Sequence, residues 1–424
     1  MIPFESIPEP AGRRPVLGHL GGWLGLDNAK TVLGRLLEYA NEVGPLARVT
    51  LGPARMLVVN DGALAAAVLD DPRANYKGAS YILTRAVLDN VLLLNGDAWA
   101  TNRALYKRAL RDVDPVGAAE RVTAAWIDRH RTASPLRLDE EVSRLIGNVV
   151  GDFVAGMSLP REFEEHRARI QYELAGVGID LQCQPWAYLS PSRWVALRRA
   201  VAYMRALFGE ETASRVRAGV DRKDVLGGFL RMGDLQDRER TAAEGAINFF
   251  FTAHDVLASS TTWCLHLLAR HPEVQERVSD DGELDLAIRE SLRLFPGYAL
   301  FGRTLQDDVE IGEYQGRKGT IVIVSPFVIH RMERHWEKPL AFDPERWRGV
   351  DAVVGPAARG QYLPFGSGAR GCIASHLAFP LMKTIVRAIT KAGRITVADR
   401  REPPIRYWGT AYAEGGLPVE WHPR

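Results

Sequence analysis

The strongest hydrophobic pattern in the chain is the longest mainly apolar segment, which runs mid-chain from Ala246 to Ala269. It is long enough to span a bilayer, but its polar side chains include Asn248, His254, Asp255 and His266. A segment that is hydrophobic all round and interrupted in this way is typical of a long helix buried within a protein. We therefore predict a central helix from about Thr241 to Arg270, ended by Pro272.

Shorter patterns on either side predict a mainly α-helical protein with a small β-rich part. Residues 46–60 alternate between apolar and polar positions around a Gly-Pro turn, as in a β-hairpin. Strand-like segments follow at 309–314 and 320–325. Helical patterns are found in these places: 29–43, 61–70, 95–111, most of 115–235, and the residues after Cys372.

Composition narrows the class of protein without indicating a function. The 424-residue chain is 46% hydrophobic and 25% charged with a net charge of +2, which is typical of a globular protein and gives no signal for nucleic acid or a membrane. Three widely spaced cysteines, Cys183, Cys264 and Cys372, favour neither a zinc site nor a disulfide framework. Residues 1–14 lack the layout of a signal peptide. We therefore expect a cytoplasmic protein without a membrane anchor.

The segment that most suggests chemistry is 365–372, whose sequence is FGSGARGC. Its three glycines let the backbone bend tightly and bring N–H groups together. Cys372 precedes a helical pattern, and the N–H dipoles at a helix N-terminus favour the thiolate form of a cysteine. Such a thiolate can bind haem iron, and Arg370 can meet a carboxylate of the same cofactor. The alternative is a glycine-rich turn that precedes a buried, inert cysteine.

The same segment resembles the haem-binding loop of cytochromes P450, Phe-x-x-Gly-x-Arg-x-Cys, although Ala374 stands where that family usually has glycine. Residues 263–274 resemble the end of the long helix that lies over the distal face of the haem. Residues 287–296 resemble the helix that carries the family's Glu-x-x-Arg pair. The resemblance runs from about residue 8 to residue 420, with its motifs in the family's order.

The resemblance implies roles for residues that are ordinary on their own. It implies haem b as the cofactor, with Cys372 as the iron ligand. It also implies that six residues bind the cofactor: Trp99, Arg103, Arg303, Phe365, Arg370 and Cys372. Glu290 and Arg293, one helical turn apart, would form a buried structural network with Arg346. Without the resemblance, a Trp–Arg pair four residues apart or a Glu–Arg pair three apart is a common surface contact.

Counting back along the central helix places residues 252–256 (TAHDV) on the family's Ala/Gly-Gly-x-Asp/Glu-Thr. This implies that Asp255, Thr252 and Val256 are the catalytic candidates. Asp255 matches the acid, which would either pass protons inward or pair with an arginine. Val256 replaces the threonine whose hydroxyl helps to deliver protons to dioxygen in this family. Three substitutes are open: the Thr252 hydroxyl on the same helical face, a hydroxyl of the substrate, or a reaction other than ordinary hydroxylation.

Taken as a whole, the resemblance implies one P450 domain over residues 1–424, with a β-rich flank at about 46–60 and 300–325 and a C-terminal hairpin. It implies a monooxygenase that uses dioxygen on a small-molecule substrate. We expect a monomer that acts in secondary metabolism. Because the chain leaves no room for a fused reductase, electrons would come from a separate ferredoxin or flavodoxin.

The missing threonine leaves two alternative functions open. One is an atypical P450 that performs oxidative coupling, desaturation or peroxide-driven chemistry. The other is a haem–thiolate isomerase or dehydratase that does not use dioxygen. A helical interaction protein without a cofactor would leave all the motifs unexplained.

Two further features concern partners. Arg103, Lys107 and Arg111 recur every four residues, and this basic face is either simply solvated or a dock for an acidic electron donor.

The proline- and aromatic-rich segment 181–191 matches the roof of the P450 pocket by position, and residues 296–301 match its wall. The aromatic side chains there suggest an aromatic or peptide-derived substrate.

Overall fold

The computed structural model describes most of the chain. The described ranges are 1–15, 18–19, 32–52, 54–74, 76–77, 94–132, 134–160, 162–170, 191–233, 237–351 and 359–424. The predicted pocket roof therefore lies outside the described residues, apart from Pro191.

Thirteen helices account for most of the described chain. They are α1 (Val32–Val43), α2 (Gly62–Asp70), α3 (Gly96–Ala109), α4 (Pro115–Arg129), α5 (Leu138–Ala155), α6 (162–170), α7 (Pro191–Ala218), α8 (Val225–Leu230), α9 (Arg238–Arg270), α10 (Pro272–Arg277), α11 (Asp281–Leu294), α12 (Pro326–Ile329) and α13 (Ser375–Ala392). The predicted mainly α-helical class is confirmed.

The central helix α9 is buried along almost its whole length, with α5 and α7 packed along it. It begins three residues before the predicted start and ends at Arg270 as predicted, because Pro272 cannot continue it. Four residues between Ala242 and Ala269 are partly exposed: Glu244, Thr252, Ala253 and Val256. The last three share one side of the helix, and we refer to Thr252, Ala253 and Val256 as the open face of α9.

Eleven short strands form four small sheets in the described chain. The strands are β1 (Leu46–Leu51), β2 (Ala54–Val59), β3 (Ser134–Arg137), β4 (Phe301–Thr304), β5 (Val309–Ile311), β6 (Tyr314–Gly316), β7 (Ile321–Val324), β8 (Gly393–Thr396), β9 (Ile405–Trp408), β10 (Thr410–Ala413) and β11 (Pro418–Pro423). The sheet orders are β1-β2-β7-β4, β3-β11-β8, β5-β6 and β9-β10.

The largest sheet brings the N-terminal hairpin and the later strands together. β1 and β2 form the predicted hairpin, β7 pairs parallel to β2, and β4 closes the sheet antiparallel to β7. Arg303 of β4 stands opposite Val322 in this ladder. The prediction of one strand over 309–314 is wrong, because the chain turns at Gly312 (φ 61°) and residues on either side pair with each other as β5 and β6.

The C-terminal hairpin β9–β10 is fastened to the central helix. The carbonyl oxygen of Ala411 accepts hydrogen bonds from Ser259 Oγ (3.1 Å) and Trp263 Nε1 (2.9 Å) on α9. The hairpin therefore meets α9 one turn beyond the open face.

In α13, Pro380 lies inside the helix without breaking it, and nothing in the structure explains its presence.

Candidate functional site

The loop that carries Cys372 owes its shape to glycines. Gly366 and Gly368 have φ angles of 70° and 66°, in the left-handed region that side chains disfavour. A Cβ atom on Gly368 would also collide with the carbonyl oxygen of Leu69, at the end of α2. The loop therefore lies against α2, and only glycine allows this approach.

Backbone hydrogen bonds fix the position of Cys372. Its N–H donates to the carbonyl oxygen of Phe365 at 2.8 Å, which closes the loop. The Cys372 side chain is accessible, whereas Cys264 is fully buried in the core. Among the described cysteines, Cys372 alone is thus open to a ligand.

In the protein without a bound metal, the surroundings of Cys372 favour the thiol over the thiolate. Helix α13 begins at Ser375, so the cysteine lies three residues before its first turn. Although one side of Cys372 is accessible, the protein that surrounds its other sides desolvates the sulfur and raises the pKa of the thiol. Smaller lowering effects come from the Ala374 N–H and the charge of Arg103. A bound metal ion would deprotonate the thiol in any case, because it replaces the proton as the partner of the sulfur.

Trp99 and two arginines join helix α3 to this loop. Arg103 stacks over the Trp99 ring with 5.7 Å between its guanidinium carbon and the ring centroid, and Arg370 does so at 4.7 Å. Arg103 Nη2 also donates to the carbonyl oxygen of Gly371 at 2.6 Å, while Arg370 Nη2 donates to that of Leu94 at 2.7 Å. The structure thus brings together the two cofactor-binding candidates from α3 and the arginine of the Cys372 loop.

A third arginine and a lysine add to the positive charge at the site. Arg303 is buried on β4, and Lys77 Nζ donates to the Gly302 carbonyl oxygen at 3.2 Å. Desolvation, followed by the charges of Arg303 and Arg370, lowers the pKa of Lys77 well below its usual value. Lys77 lies outside every recognisable motif, so the sequence alone does not mark it as a site residue.

These residues fit haem b. The site offers a single accessible sulfur, and the charges of Arg303 and Arg370 oppose a positive charge on the neighbouring Lys77. Two propionate carboxylates would relieve that repulsion. No cluster of metal-ligating side chains is found elsewhere in the described ranges.

The three residues of the predicted structural network contact one another, with Glu290 and Arg293 fully buried and Arg346 partly exposed. Both carboxylate oxygens of Glu290 accept hydrogen bonds from Arg293 at 2.8 Å, and Arg346 Nε donates to Oε1 at 2.9 Å. Trp347 Nε1 donates to Oε2, also at 2.9 Å. The sequence does not predict this last contact. Trp347 stands where the family commonly has phenylalanine, which has no hydrogen-bond donor in its side chain.

Asp255 is held between an arginine and a histidine. Its Oδ1 lies 2.6 Å from Arg167 Nη1 on α6 and 2.7 Å from His254 Nδ1. Desolvation raises the pKa of Asp255, but the His254 hydrogen bond and the charges of His254 and Arg167 outweigh it, so the pKa is lowered. Asp255 Oδ2 is buried and has no hydrogen-bond partner among the described residues. The arginine-pairing alternative therefore matches the contacts, and the proton-transfer role stays a prediction.

The other two candidates on α9 offer no free hydroxyl. Thr252 Oγ1 donates to the carbonyl oxygen of Phe249 in its own helix at 3.0 Å. Val256 packs against the loop after α11, where a Cβ atom on Gly297 would collide with Val256 Cγ1. That loop can therefore press on the open face only because residue 297 is glycine.

Comparison with known proteins decides the family. The sequence model of the family described as Cytochrome P450 matches residues 8–282 and 283–411. The chain belongs to the cytochrome P450 family. It is accordingly a monooxygenase-type oxidoreductase whose cofactor is haem b, bound in this family through a cysteine thiolate.

Relatives of this P450 come from animals and bacteria. Human cytochrome P450 4V2 is 22% identical over 94% of this chain and 86% of its own length. Mouse cytochrome P450 4V2 is 34% identical over a shorter match, which covers 42% of this chain and 36% of that protein. Cytochrome P450 135B1 of Mycobacterium tuberculosis is 27% identical over 84% of this chain and 80% of its own length.

Solved structures confirm the P450 fold. CYP175A1 from Thermus thermophilus matches with a TM-score of 0.75 at 22% identity, covering 95% of this chain and 98% of that chain. The haem domain of a P450DA mutant matches with a TM-score of 0.83 at 20% identity, covering 100% and 98%. None of the helices in the described parts of this P450 has the length and hydropathy that a membrane crossing requires.

Proposed function

We propose that this P450 uses Cys372 as its iron ligand and oxidises a small organic substrate with dioxygen, as one monomeric domain in the cytoplasm. A separate ferredoxin or flavodoxin supplies the electrons, and the product belongs to secondary metabolism. The observation that carries the proposal is the placement of one accessible cysteine in a closed loop beside Trp99, Arg103 and Arg370.

The chain's own residues would hold and orient the cofactor. Cys372 would bind the iron, while Arg103, Arg303, Arg370 and Lys77 would meet the two propionates and Trp99 would pack beside them. Bound haem supplies a thiolate-ligated iron that activates dioxygen for oxidation of the substrate. Phe365 contributes through its carbonyl oxygen, which fixes the Cys372 N–H and thereby the position of the sulfur.

The open face of α9 would line the place where substrate and dioxygen meet. Thr252 and Val256 offer no free hydroxyl there, since the Thr252 hydroxyl donates to Phe249 and valine has none. Asp255 remains our proposed proton carrier, with a hydroxyl of the substrate completing the path to dioxygen. Such a path would make the rate depend on where the substrate carries its hydroxyl.

The same contacts favour a second candidate function, an atypical P450 that performs coupling, desaturation or peroxide-driven chemistry. Asp255 is held between Arg167 and His254, and its lowered pKa keeps the carboxylate ionised near neutral pH, so it holds no proton to donate in this arrangement. Of these reactions, peroxide-driven chemistry would suit such a site best, because hydrogen peroxide already carries the two protons that reduction of dioxygen would draw from the protein. Turnover supported by hydrogen peroxide alone would favour this candidate, whereas turnover only with dioxygen and an electron donor would favour the first.

A spectrum tests the assignment of Cys372. The reduced protein with carbon monoxide should absorb near 450 nm, as expected of an anionic sulfur ligand. Cys372→Ala should abolish this band, whereas the matched variant Cys264→Ala should keep it, because Cys264 is buried away from the loop. A band that survives in Cys372→Ala would show that another atom binds the iron.

A further inference from the structure

His330 is a fully buried histidine whose two ring nitrogens both take part in hydrogen bonds. The backbone N–H of Leu363 donates to His330 Nε2 at 2.7 Å, so Nε2 carries no hydrogen. The hydrogen must then sit on Nδ1, which lies 2.9 Å from the carbonyl oxygen of Arg293 and donates to it. Desolvation lowers the pKa of His330 to about 3, so the ring is neutral. Its tautomer is fixed by its neighbours.

The two partners of His330 belong to different parts of the site. Leu363 stands at the base of the Cys372 loop, and its carbonyl oxygen accepts from the Gly366 N–H at 3.2 Å. Two residues later, the carbonyl oxygen of Phe365 accepts from the Cys372 N–H. His330 therefore binds Leu363, and Leu363 lies two residues before Phe365, whose carbonyl oxygen holds the N–H of Cys372.

The other partner, Arg293, belongs to the buried ion-pair network. Its guanidinium binds Glu290, and its Nη1 donates to the carbonyl oxygen of His330 at 2.6 Å. His330 and Arg293 are thus bound to each other in both directions. The ring stacks on Tyr362 with 5.5 Å between centroids, which fixes the plane of the imidazole.

We propose that His330 is a positioning residue for Cys372, which transmits the rigid frame of Glu290 and Arg293 to the base of the loop that holds the sulfur. The inference deepens the proposed function and rests on Cys372 as the iron ligand. His330 lies outside the cofactor motifs of the sequence. Its role depends on a neutral ring that accepts a hydrogen bond at Nε2 and donates one at Nδ1.

Loss of the ring nitrogens would leave two buried backbone groups unpaired, the Leu363 N–H and the Arg293 carbonyl. Unpaired buried groups disfavour the arrangement that contains them, so the loop base would move to find other partners. The sulfur would then sit less often at the iron. A neutral amide side chain carries one donor group and one acceptor and can replace both bonds in part.

The test compares His330→Phe with His330→Gln in the haem-loaded, full-length protein. Phenylalanine keeps a ring but removes both nitrogens, whereas glutamine keeps a neutral donor and acceptor. The readout is the fraction of the reduced carbon monoxide complex that absorbs near 450 nm, with circular dichroism to check the fold. His266→Phe is the matched control, because His266 is also buried but has no hydrogen bond to lose among the described residues.

We expect His330→Phe to raise the fraction of protein without the long-wavelength band about tenfold, His330→Gln to restore at least half of the wild-type band, and His266→Phe to match wild type. A folded His330→Phe variant with the wild-type spectrum would overturn the inference. A His330→Gln variant without the band would do the same, and it decides the question if His330→Phe does not fold. A wild-type protein without the band would instead overturn the assignment of Cys372, and this inference with it.

Discussion

At the scale of single residues, the open face of α9 governs what this P450 can give to its substrate. Val256 differs from the family's threonine by one hydroxyl, and the Thr252 hydroxyl donates to the carbonyl oxygen of Phe249. The Asp255 carboxylate is bonded to Arg167 and His254. The missing hydroxyl at Val256, the bonded hydroxyl of Thr252 and the paired carboxylate of Asp255 each reduce the supply of protons from the protein to dioxygen.

Val256→Thr tests whether a hydroxyl at this position can restore that supply. The two side chains have almost the same shape, so Gly297 still fits against residue 256. We expect several-fold less hydrogen peroxide released per reduced nucleotide oxidised, because a positioned proton donor speeds productive oxygen cleavage. The measurement uses supplied redox partners and a substrate found by spectral shifts.

Val256→Ala is the matched control for this experiment, since it changes the size of residue 256 without adding a donor. Its peroxide release should not fall below that of wild type. Equal peroxide release from Val256→Thr and wild type would mean that the new hydroxyl donates to its own helix, as the hydroxyl of Thr252 does. That result would contradict the role that we assign to position 256.

Residues at fixed local spacing could be placed from the sequence, and residues with distant partners could not. Trp99 and Arg103 meet because they are four apart on a helix, and Glu290 and Arg293 because they are three apart. Lys77 and Arg167 reach the site from segments that are far away in the sequence. Their roles depend on tertiary contacts for which the local pattern gives no signal.

At the scale of elements, helix α3 contacts the Cys372 loop through Arg103 and carries Lys107 exposed on its surface. Arg103 turns inward to the Gly371 carbonyl, so it does not belong to a solvated basic face as the spacing suggested. Lys107 and Arg111 are exposed beyond it. The part of the predicted face that can meet an electron donor is therefore reduced to Lys107, near the C-terminal end of α3, and Arg111, in the turn that follows the helix.

Reversing those two charges tests the proposed dock. Lys107→Glu with Arg111→Glu should slow reduction by an acidic ferredoxin or flavodoxin about tenfold or more at low salt, because charge complementarity governs the encounter rate. Reduction by dithionite should stay the same. Stopped-flow absorbance in the presence of carbon monoxide measures both rates.

Arg198→Glu with Arg217→Glu is the matched control, because it changes the net charge equally at exposed positions of α7. This pair should leave the rate with the protein donor close to that of wild type. Equal slowing by both pairs would show that net charge alone matters, and that α3 is not the dock.

Elements with strong periodic patterns matched the prediction, and short ones did not. The central helix was predictable because Pro272 ends it and its apolar segment is long. The alternating apolar residues of 309–314 predict one strand, but Gly312 turns the chain. The cysteine was placed too close to a helix because a glycine-rich loop and a first helical turn look alike in sequence.

At the scale of the whole molecule, the response of this P450 to acid depends on histidines whose pKa values are lowered. The pKa is lowered strongly in two buried ones, His266 and His330, and it is also lowered in His271 and His335. Burial lowers the pKa of His266 to about 4 and that of His330 to about 3. In the unfolded chain a histidine has a pKa of about 6.5, so unfolding takes up protons below that pH. The stability that the neutral rings contribute is complete above about pH 6.5 and is lost as the pH falls towards 4 and then 3.

The contribution of Asp255 to stability changes at a lower pH than the contributions of these histidines. Its pKa in the folded protein is lowered from an ordinary value of 3.8, so the stability it contributes is present above that pH and is lost only below it. Loss of stability between about pH 7 and 4.5 therefore reports on the histidines.

His266→Leu separates the two histidines, because His266 has no hydrogen bond to lose among the described residues. Between about pH 7 and 4.5, wild type should lose ~2–3 kcal/mol more unfolding free energy than this variant, from the proton taken up by residue 266 on unfolding. Urea unfolding at the two pH values measures the difference. The exposed His422→Leu should behave as wild type does.

An equal loss in wild type and His266→Leu would mean that the folded protein can protonate residue 266 without cost, which a ring buried beside Trp263 and near Arg270 should prevent. The acid sensitivity would then come from the other histidines with lowered pKa values, which include His330, whose protonation must break the bond from the Leu363 N–H. In that case, unfolding in acid and loss of the thiolate spectrum should occur together, because the same ring holds the core and the base of the Cys372 loop.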